Sequence, residues 1–159
     1  MSVKHAVFHS PIGDLHLIAN DTALIQCDFS EIPLDCPLTL KFPILAQALD
    51  ELSAYFAGEL RDFTVPLHLE GAAFTQQVWK YTQQQVKFGK TQAYGEIAAA
   101  LNKPKAARAV GVAMRNNPVA LMMPCHRVVA STGKLTGYAG GIWRKAWLLA
   151  HEMRVSDGA

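Results

Sequence analysis

The stretch YGEIAAALNKPKAARAVGVAMR, residues 94–115, decides the fold of the C-terminal half of the chain. Ile97, Ala98 and Leu101 recur at helical spacing, which predicts a short helix over about Tyr94–Leu101 with that face inward. Asn102-Lys103-Pro104 predicts a tight turn. Pro104, with its fixed φ and no N–H to satisfy, predicts the start of a second helix running to about Arg115. Two short helices joined this way predict a helix-turn-helix. On the second helix Lys105, Arg108, Val112 and Arg115 share one face, and Ala107, Val110, Gly111 and Met114 share an inward one. Ala106, Ala109 and Ala113 form a strip of small side chains beside the basic face. Such a thin, positive helix can approach a phosphodiester backbone closely, even in a minor groove about 6 Å wide. An ordinary Ala-rich helix with solvated lysines fits the segment equally well.

Charge distribution separates this half from the other. Residues 1–70 contain 10 acids and 3 bases, and residues 71–159 contain 12 bases and 3 acids, although the whole chain carries only +2. The electrostatic signal for a polyanion therefore lies in the C-terminal part. With 159 residues, half of them hydrophobic, the chain can bury a real core and disorder is not expected. No apolar run approaches the roughly 20 residues of a membrane helix. Met1 to Ile18 lacks the apolar stretch and cleavage site of a signal peptide, so a cytoplasmic protein is expected.

Working back towards the N-terminus, Val3–Phe8, Asp14–Ala19 and Leu24–Phe29 read as three antiparallel strands. Ser10-Pro11-Ile12-Gly13 and Asn20-Asp21 supply turn chemistry between them. In the third, Ile25, Cys27 and Phe29 alternate with Gln26 and Asp28 as on a half-buried strand. Glu31 to Lys41 reads as a connector. A helix is expected from Pro43 with the stripe Leu45, Ala48, Leu49, Leu52 and Phe56, stopped by Gly58, and Arg61–Leu69 is a candidate for one more strand. The boundary is expected near residue 70, giving domains 1–70 and 71–159. The second domain should open with a helix over about Ala72–Gln84, using Phe74, Val78 and Tyr81 inward, and close with one over about Ile142–Met153 after Gly140-Gly141.

Met123-Pro124-Cys125-His126-Arg127-Val128 carries the chemistry. Cys27, Cys36 and Cys125 are too scattered for a disulfide framework, so reduced thiols are expected. Cys27 reads as a small buried hydrophobe. Cys125 differs because two potential cations follow it, and nearby cations raise the thiolate fraction of a thiol. Direct contact between Cys125 and His126 would need a turn or a bridging water, since neighbours on a strand face opposite ways. Glu152 is the candidate partner for the other ring nitrogen, although His151-Glu152 taken by itself reads better as a solvated helix end. The spacings of Cys27, Cys36, His5, His9, His16 and His68 fit no standard zinc pattern, and no metal is expected. Nor is there a Gly-rich cofactor loop or a Walker motif, so no cofactor is expected.

The run Pro124-Cys125-His126-Arg127-Val128-Val129 resembles the acceptor motif of the O6-alkylguanine-DNA alkyltransferases. Tyr94–Ala98, Pro104–Gly111, Ala113–Arg115, Asn117–Val119, Gly137-Tyr138, Gly140-Gly141 and Leu148–Glu152 resemble family segments in family order. The match is dense from about Ala72 to Glu152. Residues before it agree only in length and coarse pattern. The resemblance implies an α/β fold, with a small ribonuclease H-like N-terminal domain and a mostly helical, winged-helix-like C-terminal domain. It also implies a function, the single-turnover transfer of an alkyl group from O6-alkylguanine in double-stranded DNA to Cys125 after base flipping, with O4-alkylthymine as a second candidate lesion and no cofactor.

Site roles follow from the same resemblance. Cys125 matches the alkyl acceptor, and His126 and Glu152 match a proton relay that runs through water. Asn117 matches a hinge asparagine, and Tyr94 a tyrosine that hydrogen-bonds the guanine edge. Arg108 matches an arginine finger on a DNA-binding surface that takes in Lys105, Ala106, Ala109 and Arg115. Val128, Tyr138, Ala139 and Lys145 match pocket positions. Many relatives carry Ser where this chain has Ala139, so any hydroxyl contribution there is lost while a backbone donor survives. A monomer is expected. Two other classes stay open at this point: a binding module without transfer, whose relatives lack the acceptor cysteine, and a cysteine hydrolase that would turn over.

Overall fold

The computed structural model describes residues 3–30 and 42–158, so Cys36 and the connector Glu31–Lys41 lie outside the described residues. The chain divides into two compact units, Met1–Leu69 and Glu70–Ala159.

The first unit is built on an antiparallel sheet of β1 (Lys4–Ser10), β2 (Gly13–Ala19) and β3 (Leu24–Asp28), in that order. Turn chemistry sets its register. The Ser10 hydroxyl donates to the Gly13 carbonyl (2.6 Å) and accepts from Ile12 N–H (3.1 Å). Asn20 Oδ1 accepts the N–H groups of Thr22 and Ala23, both at 2.8 Å, an Asx turn. Ala6, Leu17 and Cys27 form one buried row across the sheet. The expected alternation of β3 is broken. Ala19 pairs with Leu24 while Ile18 pairs with Gln26, so Ile25 is an extra residue. That β-bulge shifts the phase, and Leu24 rather than Ile25 shares the buried face with Cys27.

Helix α1 (Pro43–Phe56) covers the sheet with Leu45, Ala48, Leu52 and Tyr55. Pro43 opens it as expected. Tyr55, not Phe56, takes the innermost place, while the Phe56 ring stacks on Phe8 with centroids 5.7 Å apart. Residues 61–69 form no strand. They make one parallel bridge, Leu24 with Leu67, through Leu24 N–H to the Pro66 carbonyl and His68 N–H to the Leu24 carbonyl. Pro66 has no N–H with which to extend a ladder.

The second unit is mostly helical. It contains α2 (Ala73–Gln85), β4 (Gln92–Ala93), α3 (Tyr94–Ala100), α4 (Ala107–Arg115), a 3₁₀ turn (Cys125–Arg127), β5 (Val128–Val129) and α5 (Ile142–Gly158). Helix α2 buries Val78, Trp79 and Thr82, while Phe74 and Tyr81 are only half-buried. The Trp79 indole donates to the Ala113 carbonyl at 2.9 Å and so ties α2 to α4. The Glu96 carboxylate accepts Ala93 N–H (2.8 Å) at the start of α3. Asn102, at φ 62°, ends α3 in the left-handed conformation that Asn tolerates.

Helix α4 starts three residues later than Pro104 predicts. Ala106 N–H bonds the Lys103 carbonyl (2.9 Å), which closes a turn over Pro104 and Lys105. Lys105 and Ala106 thus precede the helix instead of standing on its face. Ala113, expected beside the basic face, is buried against α2. The two-residue strands β4 and β5 pair in parallel, Gln92 with Val128 and Ala93 with Val129. This pairing links the start of α3 to the turn that carries Cys125. Among the described residues, no helix is long and apolar enough to cross a membrane.

Candidate active site

Cys125 opens the 3₁₀ turn, and that turn separates its side chain from those of its neighbours. The thiol is buried, 7% exposed. Asn117 Nδ2 donates to Sγ (3.1 Å) and to the Met123 carbonyl (2.8 Å), and its Oδ1 accepts Val119 N–H (2.9 Å). One amide thus pins the segment between α4 and the thiol. Leu121, at φ 72° and buried, makes the sharp bend inside that segment.

His126 is fully buried and points towards α5, where Nε2 lies 2.7 Å from Glu152 Oε2. The helix end expected to be solvated is enclosed, and Glu152 is 0% exposed. Nδ1 of His126 is buried and meets no hydrogen-bonding protein group among the described residues. Burial holds His126 below its ordinary pKa against the opposing pull of Glu152, so the imidazole is neutral near pH 7. Burial opposes the charge of Glu152 too, but His126 and then Arg127 outweigh it and keep the carboxyl well below the usual range.

The expected electrostatic effect on Cys125 needs correcting. Burial pushes the thiol up, and the Asn117 hydrogen bond and the Lys145 charge offset only part of that. Arg127 does not face the thiol. Its Nε and NH2 bond the two oxygens of Glu152 at 2.8 and 3.1 Å. The cation that Cys125 does feel is Lys145, one turn into α5 and 1% exposed. Lys145 Nζ donates to the carbonyls of Val128 (2.6 Å) and Thr136 (2.8 Å) and lies 3.4 Å from the Tyr94 hydroxyl. With no carboxylate among these partners, burial brings its pKa down to about 8.

Two clusters result. Asn117, Cys125, His126 and Glu152 form one, and Tyr94, Val128, Thr136 and Lys145 form the other. The Tyr94 hydroxyl donates to the Thr136 carbonyl (3.0 Å). A cavity of about 250 Å³ is lined by Tyr94, Ala107, Arg108, Gly111, Arg115, Thr136 and Gly137. Arg108, Val112 and Arg115 form the exposed face of α4, and Ala109 is exposed beside them. Lys105 is exposed in the preceding turn and Ala106 is half-buried. Tyr138 and Ala139 lie in the loop before α5, where the Tyr138 carbonyl accepts Gly141 N–H (3.0 Å). Sequence reasoning missed the backbone contributions of Val86, Gly89 and Thr136, because a carbonyl or N–H leaves no mark on residue type. It also missed Arg127 as the partner of Glu152.

Comparison with known proteins fits this arrangement. The model of the 6-O-methylguanine DNA methyltransferase DNA-binding domain matches residues 73–154, and that of the same family's ribonuclease-like domain matches residues 3–69. The chain belongs to the 6-O-methylguanine DNA methyltransferase family. A methylated-DNA–protein-cysteine methyltransferase from Mycolicibacterium paratuberculosis is 44% identical over 99% of this chain and 96% of its own length. A crystal structure of the Mycobacterium tuberculosis O6-methylguanine methyltransferase has a TM-score of 0.86 at 43% identity, covering 96% of this chain and 93% of the other. One of Mycobacterium tuberculosis OGT in complex with DNA has a TM-score of 0.87 at 42% identity, covering 96% and 94%. Family membership thus extends over both units, including the first, where the sequence alone offered only a coarse pattern.

Proposed function

We propose that this methyltransferase repairs DNA by moving the alkyl group of O6-alkylguanine onto Sγ of Cys125, once per molecule. The observation that carries the reading is a buried thiol hydrogen-bonded by Asn117, on the same turn that sets His126 Nε2 against the Glu152 carboxylate. Such a thiol is largely protonated at rest, so its proton must leave as the reaction proceeds. His126 Nδ1 takes it, directly or through a solvent molecule, and Glu152 stabilises the imidazolium that forms. Sγ attacks the alkyl carbon, the carbon–O6 bond breaks, and its electron pair goes to guanine. Tyr94, with Lys145 beside it, is placed by this reading to hydrogen-bond the guanine and supply the proton that neutralises it. The products are guanine and a thioether.

An alkyl carbon inside a stacked duplex is out of reach of a buried thiol, so the nucleotide must be flipped at a cost of a few kcal/mol. The exposed face of α4 serves that step in this reading. Arg115 and Lys105 meet phosphates, Ala106 and Ala109 let the backbone come close, and Arg108 fills the gap left in the stack. Val128, Tyr138, Ala139 and Lys145 surround the flipped base. The protein acts as a monomer on double-stranded DNA in the cytoplasm.

Nothing in this scheme regenerates the thiol. With excess O6-methylguanine duplex, uptake should stop at about one methyl group per chain, as counted by labelled methyl retained on protein. Continued turnover, or methanol released to solution, would contradict single use and favour a hydrolase.

A further inference from the structure

Arg127 follows the acceptor cysteine directly, yet its side chain serves a different group. Arg127 is 5% exposed, and its guanidinium spans both oxygens of Glu152. It is itself anchored, because NH1 donates to the Val86 carbonyl (2.9 Å) and the guanidinium carbon lies 5.6 Å from the centre of the Phe88 ring. Gly89 N–H approaches Glu152 Oε1 at 3.4 Å. Gly89 sits at φ +80°, and a Cβ there would run into the Ser156 hydroxyl on α5. The carboxylate is therefore held by Arg127 and Gly89 as well as by His126.

We infer that Arg127 is a positioning residue for the transfer: by holding both oxygens of Glu152 it aims the carboxylate at His126 Nε2 and leaves Nδ1 of that ring to accept a proton. The inference rests on the reading of Cys125 as acceptor. The physical reason is charge balance in a dry site. A buried carboxylate needs a countercharge. Arg127 supplies it permanently, since a guanidinium does not lose its proton. Without it, Glu152 would be balanced by protonation of His126, and an imidazolium has no acceptor left for the thiol proton. The charged and titratable groups facing His126 agree with this. Its own turn brings Arg127 and Cys125, and α5 brings Glu152 and Lys145. The Val86–Gly89 segment brings to Arg127 and Glu152 the Val86 carbonyl, the Gly89 N–H and the Phe88 ring. Both cations disfavour a further positive charge on His126, and Arg127 also binds the carboxylate that His126 meets.

The test combines NMR titration of the His126 ring with single-turnover methyl transfer from an O6-methylguanine duplex across pH. In Arg127→Gln, the His126 midpoint should rise by about one pH unit or more, and the acid limb of the rate profile should move up with it. Arg127→Lys keeps the charge but cannot span both oxygens. It should leave the midpoint near that of the unsubstituted protein and lower the plateau rate about tenfold, as loss of a supporting hydrogen bond does. An unchanged His126 midpoint in folded Arg127→Gln would overturn the inference, as would full transfer rates in Arg127→Lys. If Arg127→Gln does not fold, the Arg127→Lys plateau decides alone. If the unsubstituted protein transfers no methyl group, the reading of Cys125 fails, and the His126 titration still decides the role of Arg127.

Discussion

Replacing Cys125 by Ser should abolish alkyl transfer while leaving DNA binding intact. The hydroxyl is nearly isosteric with the thiol and can take the same Asn117 hydrogen bond, so the 3₁₀ turn should keep its shape. What it lacks is nucleophilicity. His126 is neutral and weakly basic, which suits a thiol but leaves a hydroxyl essentially protonated throughout the reaction. In the proposed reading affinity resides elsewhere, on the exposed face of α4. Gel-shift titration should thus give an unchanged Kd for an O6-methylguanine duplex, and labelled methyl should stay on DNA. Residual transfer in Cys125→Ser would move the acceptor to another residue. A parallel loss of binding would show that the substitution disturbs more than the nucleophile.

Arg108→Ala should slow repair of duplex DNA by about 30- to 160-fold, the factor expected if the side chain offsets about 2–3 kcal/mol of a flipping cost of that order. Reaction with a free O6-alkylguanine base should hardly change, because a free base needs no flipping. Arg108 is exposed and lines the cavity that also contains Tyr94. A pure phosphate contact at this position predicts something else: weaker binding, a shallower salt dependence and near-normal transfer once DNA saturates. Single-turnover rates at saturating duplex and with the free base separate the two. Equal losses on both substrates would place Arg108 in the pocket chemistry or in folding, and the role in flipping would be dropped.

Side chains with local causes were legible in the sequence. The burial of Ile97 and Ala98 on α3 and of Val110 and Met114 on α4, the turn at Asn20 and the start of α1 at Pro43 each follow from a few neighbouring residues. Proximity of His126 to Glu152 was readable only as a candidate, since 26 residues separate them and no periodicity links a turn to a helix two elements later. The differences each have their own physical cause. Ile25 left the core face because a bulge, which residue type does not announce, changed the phase of β3. Pro104 fits a turn as well as a helix start, and the Lys103–Ala106 hydrogen bond selects the turn. Arg127 was read by its adjacency to Cys125, but chain neighbours in a tight turn point apart, and the guanidinium went to the Glu152 carboxylate.

The central claim is that Cys125 takes the alkyl group. Mass spectrometry of the peptide containing Cys125, after incubation with an O6-methylguanine duplex, tests it most directly. The account predicts a gain of one CH₂ on Cys125, at about one per chain, with guanine restored in the DNA and Cys27 and Cys36 unmodified. An unmodified Cys125 peptide alongside repaired DNA, or a methyl group found on Cys27 or Cys36 instead, would contradict it.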